Sequence, residues 1–78
     1  MRKILMPRLG LTMEEGTITK WYKSDGDYFK EGEVLFEVMT EKIVNDIEAT
    51  FAGKLIKILV KEGETVSVSV IIAEAEEL

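Results

Sequence analysis

The sequence predicts an all-β fold, a small sandwich or barrel, on three observations. Glycines at positions 10, 16, 26, 32, 53 and 63 break up the 78 residues, and no segment between them reads as a helix. Within the segments, apolar residues tend to alternate with polar ones at the strand period of two. The pattern also repeats. A shift of 37 positions lays Gly16 on Gly53, Gly26 on Gly63, Ile18 on Leu55 and Lys20 on Lys57, without a gap. The same shift matches Trp21 with Ile58, Phe29 with Val66, Val34 with Ile71, Leu35 with Ile72 and Glu37 with Glu74. Asp25-Gly26-Asp27 falls on Glu62-Gly63-Glu64, two acidic turns around one glycine. One hairpin unit is therefore used twice, each copy covering the apolar face of the other.

The elements follow in order. Residues 3–6 form a short first strand, stopped by Pro7, which has no N–H to give to a ladder. Residues 17–22, Thr-Ile-Thr-Lys-Trp-Tyr, are β-branched and aromatic, the types that fit a pleated half-buried surface. After the Gly26 turn comes a short extended piece at Tyr28-Phe29. Residues 34–39 and 43–48 are two alternating runs with only three residues between them, which describes a hairpin. Residues 54–60, 66–68 and 70–75 are the second copies of the middle strands. The run Val66-Ser67-Val68-Ser69-Val70-Ile71-Ile72 is β-prone and uncharged, so it is expected inside a sheet, where it cannot pair with other chains. Trp21, Tyr22 and Phe29 are expected in the core or at its rim. The glycines read as turn and bulge positions and form no phosphate-binding spacing.

Composition narrows the function. The chain is expected to form one domain, residues 1–78, burying roughly 60% of the surface its unfolded form exposes. It has no cysteine and no histidine, which removes disulfides, thiol nucleophiles, the usual zinc ligands and the usual general base. Any redox chemistry would have to come from an attached group. A net charge of -5 speaks against a nucleic-acid partner. No apolar run approaches the ~20 residues of a membrane span, and no signal peptide is evident. The expected setting is the cytoplasm of a prokaryote, with a mitochondrial matrix open if the chain is part of a longer one. A stand-alone enzyme is not expected, because so thin a core leaves little room for a substrate cleft.

Among eight lysines, Lys42 stands apart because it lies at the turn of the predicted hairpin, in Met39-Thr40-Glu41-Lys42-Ile43. An amine at the tip of a stiff hairpin is accessible to a modifying enzyme, and a group joined there projects into solvent. Under the 37-residue shift Thr40 corresponds to Glu77 and Lys42 to Leu5. A pseudo-twofold axis would then set this turn at one end and both termini at the other.

The segment from Gly26-Asp27 through Gly32-Glu33-Val34-Leu35-Phe36-Glu37-Val38-Met39-Thr40-Glu41-Lys42 resembles the lipoyl domains of 2-oxo acid dehydrogenase complexes. Residues 6–16, Met-Pro-Arg-Leu-Gly-Leu-Thr-Met-Glu-Glu-Gly, resemble that family's first loop in the form common in pyruvate- and acetoin-type complexes. The Gly53 strand and the Lys61-Glu62-Gly63-Glu64 turn match as well, so the resemblance covers essentially the whole chain. It implies a flattened barrel of two four-stranded sheets, with lipoate joined to Lys42 by an amide bond and Thr40 and Glu41 forming the recognition turn. The implied partners are a lipoate-attaching enzyme, a thiamine-diphosphate-dependent decarboxylase that loads acyl groups, an acyltransferase core that receives them, and dihydrolipoyl dehydrogenase, which reoxidises the arm. In the family the first loop contributes to recognition by the decarboxylase, which makes Leu9, Leu11, Met13, Glu14 and Glu15 the candidate contacts. Leu11 and Met13 either meet that partner or pack down onto the barrel, and solvated charge is the plainer reading of Glu14 and Glu15. Ile43 stands where alanine or valine is more usual, and Glu41 replaces the commoner aspartate. Biotin carrier domains place a modified lysine on the same hairpin, typically between two methionines. Here the neighbours are Glu41 and Ile43, so biotin attachment is the alternative and lipoyl attachment the expectation. An unmodified β-domain adaptor is the rival from another class.

Overall fold

The computed structural model describes residues Met1–Leu78. Its eight strands are β1 (Arg2–Leu5), β2 (Glu15–Trp21), β3 (Tyr28–Phe29), β4 (Val34–Met39), β5 (Val44–Glu48), β6 (Gly53–Ile58), β7 (Thr65–Ser67) and β8 (Ile71–Glu77). They form two four-stranded antiparallel sheets, ordered β1-β8-β6-β3 and β5-β4-β2-β7. The sheets face each other as a sandwich and do not close into a barrel. The expected uncharged run is divided between them. Residues 65–67 form an edge strand of one sheet, while Ile71 and Ile72 open β8, which lies inside the other.

The repeat is written into the hydrogen bonds. Gly26 N–H donates to the Leu55 carbonyl, and Gly63 N–H, 37 residues on, donates to Ile18, each at 2.7 Å. Leu55 N–H donates to Asp27 and Ile18 N–H to Glu64 in the same reciprocal way. The Asp25 carboxylate accepts from Ile58 N–H, and the Glu62 carboxylate from Trp21 N–H, both at 2.8 Å. Both copies of the long strand carry an irregularity, between Ile18 and Lys20 and between Leu55 and Lys57. Gly26 and Gly63 have φ of +92° and +90°, the left-handed conformation that only glycine adopts freely.

One expectation is corrected. The 37-residue shift relates β2 to β6, β3 to β7 and β4 to β8, but not β5 to β1. Ile47 pairs with Phe36 and Ile4 with Ala73, the counterpart of Phe36, so Ile4 matches Ile47 and the offset there is 43. Leu5 is therefore the counterpart of Glu48, and Lys42 has none within the chain. The cause is local. The chain takes ten residue steps from Met6 to Gly16 but only four from Ala49 to Gly53, and the six extra residues lie in the loop before β2.

The core lies between the sheets. Ile18, Leu55, Leu35, Ile72, Val38 and Met6 are essentially inaccessible, and Phe36 is 1% exposed with its ring 5.0 Å from that of Trp21. Fully burying one such side chain stabilises by about 1.5–3 kcal/mol. Trp21 is half-buried and donates from its indole nitrogen to the Val60 carbonyl at 2.9 Å, which satisfies its one polar atom. Tyr22 departs from its expected place. It is exposed just past the end of β2, where its hydroxyl donates to Asp46, and partial desolvation followed by the Asp46 carboxylate raises its pKa.

Candidate functional site

The β4–β5 hairpin positions Lys42. Met39 pairs with Val44, and the four residues between them turn the chain. Thr40 N–H donates to the Ile43 carbonyl at 2.8 Å, which closes the turn. The Thr40 hydroxyl oxygen accepts from Ile43 N–H at 3.2 Å and from Lys42 N–H at 3.4 Å. Glu41, Lys42 and Ile43 are exposed, and Ile43 belongs to the turn, so β5 begins one residue later than expected. Lys42 enters no ion pair. The ion pairs present are Arg2 with Glu77 and Lys23 with Glu33.

The loop before β2 stands beside this hairpin. Together they line a groove of about 710 Å³ whose walls include Leu9, Met13, Met39, Thr40 and Lys42. The loop is organised around Met13. Its sulfur accepts from Leu9 N–H at 3.1 Å, its N–H donates to the Gly10 carbonyl at 3.2 Å, and its carbonyl accepts from the Arg8 guanidinium at 2.7 Å. Gly16 makes room for it: a Cβ there would stand 2.9 Å from the Met13 methyl and 2.8 Å from Val38.

This divides the five loop residues. Leu9 and Met13 pack against the core. Leu11, at the apex, is 97% exposed, and Glu14 and Glu15 face solvent. Sequence reasoning left Leu11 and Met13 undivided, because spacing in an irregular loop does not say which side chain is anchored. It also missed Arg8 as a brace for the loop.

The other end holds the chain termini. β5 runs from Val44, beside the Lys42 turn, to Glu48 at the far end of the sheet. Just beyond, the Ala52 carbonyl accepts from Leu78 N–H. Arg2 pairs with Glu77 and lies over the Phe51 ring, 4.2 Å from its centre. Both ends of the chain therefore leave from the side opposite Lys42, as expected.

Residues 2–74 match the biotin/lipoyl family model, described as biotin-requiring enzyme. The chain belongs to the biotin/lipoyl family. Several of its relatives are named as dihydrolipoyllysine-residue acyltransferase components. It is 40% identical, over 97% of its length, to the dihydrolipoyllysine-residue acetyltransferase component of the pyruvate dehydrogenase complex of Rickettsia bellii. It is 45% identical, over 82% of its length, to the corresponding component of the acetoin cleaving system of Bacillus subtilis. It spans only 19% and 16% of those proteins. Among solved structures it matches the lipoyl domain of the 2-oxoglutarate dehydrogenase complex from Azotobacter vinelandii, with a TM-score of 0.80 and 27% identity over 96% of this chain and 95% of that one. The chain is thus similar over nearly its whole length to a lipoyl domain.

Proposed function

We propose that Lys42 carries lipoate as an amide and that the domain serves as the moving acyl carrier of a 2-oxo acid dehydrogenase complex. The observation that carries this reading is an unpaired primary amine on the outside of a clamped hairpin turn, in a chain of the lipoyl kind. The donor chemistry fits the group. Amide formation needs an amine free to lose a proton and attack an activated carboxyl, with the activating group leaving. Lys42 has no ion-pair partner to hold it back. When bound, lipoate supplies a ring disulfide that accepts an acyl group and two electrons. The chain's own residues hold it outward, and a linker at either terminus keeps it at high local concentration for each enzyme it visits.

Leu11 is the apolar contact we assign to the decarboxylase, supported by its 97% exposure on a loop that Met13 and Arg8 hold in place. Thr40 and Glu41 shape the turn that the lipoate-attaching enzyme recognises. Lipoate is favoured over biotin by the relatives and by Glu41 and Ile43 flanking the lysine. Transfer to an acyltransferase core and reoxidation by dihydrolipoyl dehydrogenase complete the cycle, with pyruvate or acetoin systems favoured by the loop at residues 6–16.

Co-expression with a lipoate ligase followed by intact-mass measurement tests the reading. One lipoyl increment mapped to Lys42, and abolished by Lys42→Arg, is the expected result. A biotin increment at Lys42, or an unmodified chain, overturns it.

A further inference from the structure

The turns of this fold are clamped in two chemically different ways. At Ser24–Asp27, Lys30–Glu33 and Lys61–Glu64 the residue that ends the turn turns its carboxylate back onto the N–H of the residue that begins it, at 2.7 to 2.8 Å. At the Lys42 turn the clamp comes from the first residue and is neutral. The Thr40 hydroxyl oxygen accepts from the Lys42 and Ile43 N–H groups, while the Thr40 backbone N–H donates to the Ile43 carbonyl. Thr40 thus orients the peptide groups on both sides of Lys42 through a neutral hydroxyl.

We infer that Thr40 is a positioning residue for lipoyl attachment, acting through the geometry of the turn rather than as a contact for the ligase. This rests on the carrier reading of Lys42. Without the hydroxyl the turn samples other conformations, and the ligase meets the competent one in only a fraction of molecules. Its apparent affinity falls by that fraction, while turnover of the bound complex stays the same.

The test compares Thr40→Val and Thr40→Ser with the parent domain, using a lipoate ligase and intact mass as the readout of initial rates. Thr40→Val is expected to raise KM for the domain about tenfold and leave kcat within about twofold. Thr40→Ser restores parental values, since it keeps the oxygen. Amide exchange should speed up at Lys42 and Ile43 in Thr40→Val but not at Val38 or Asn45, which separates loss of the turn from loss of the hairpin. Equal modification of Thr40→Val and the parent, failure of serine to restore, or unchanged exchange at Lys42 and Ile43 each overturns the inference. A parent domain that takes up no lipoate overturns the carrier reading itself, a result distinct from all of these.

Discussion

The two ends of the sandwich are built from the same parts and put to different uses. At one end β4 and β5 are joined by the Lys42 turn. At the other their counterparts β8 and β1 stay unjoined, and the chain enters and leaves there. The loop before β2 is six residues longer than its counterpart before β6, and those residues wall the groove beside Lys42. The repeat supplies the rigid frame, and the proposed attachment site sits where the repeat is broken. An attachment lysine needs a closed turn with accessible flanks, while a tether needs open ends, and one pseudo-symmetric frame provides both.

The sharpest break of this comparison is at the paired glycines. A Cβ at Gly53 would stand 2.5 Å from the Glu76 carbonyl oxygen, part of a neighbouring strand that cannot move alone. At Gly16 it meets side chains only, Val38, Met13 and Met6. Gly53→Ala is expected to cost about 3 kcal/mol and Gly16→Ala about 1 kcal/mol, read as midpoints of thermal melting. Only the Gly16 variant should also disturb loop resonances from Leu9 to Met13. Equal losses from both would refute the assignment of the clash to backbone.

A smaller effect comes from the pair Gly32 and Ser69. Gly32 has φ +90°, and Ser69, 37 residues later, holds φ +75° despite its side chain. Their turns are closed alike, by Glu33 N–H to the Lys30 carbonyl and by Val70 N–H to Ser67. Ser69→Gly should stabilise by about 0.5 kcal/mol and Gly32→Ser destabilise by about 1 kcal/mol, both measurable by urea unfolding. A destabilised Ser69→Gly would mean that the serine hydroxyl does something the turn geometry does not explain.

The smallest effect is in acid. Glu33 is held below the ordinary glutamate pKa, first by the Lys30 N–H and then by Lys23, whereas its counterpart Val70 cannot titrate. A depressed folded-state pKa gives stability that is complete above the unfolded value of about 4.3 and is lost as pH falls through the folded one. Glu33→Gln should therefore flatten the decline of melting temperature below about pH 4.3. An acid limb unchanged by Glu33→Gln would assign that decline to other carboxylates.

Much of this was legible in the sequence because β-structure with one buried face writes itself as alternation. The hairpin at 34–48 and the reuse of one unit were readable from Val34-Leu35-Phe36-Glu37-Val38 and from the matched glycines. The alternation fails at irregularities in the ladder. Residues 17–22 do not reveal that Tyr22 lies outside while Trp21 packs inward, because the register shifts between Ile18 and Lys20. The counterpart of Leu5 was misplaced because an ungapped shift cannot see six added residues in a loop without periodicity. Lys42 was legible from its turn, but the anchoring of Met13 was not, since its partners are the Leu9 N–H, the Gly10 carbonyl and the Arg8 side chain.

The reciprocal bonds between the two copies carry a consequence for how the protein is made. Gly26 closes its turn on Leu55, and Gly63 closes its own on Ile18, so neither half owns the acceptors that finish it. The local clamps close within each half, but the bonds that join Gly26 to Leu55 and Gly63 to Ile18 form only when both halves are present, so folding is governed by contacts distant along the chain. The reward is a molecule with no loosely attached half to unravel.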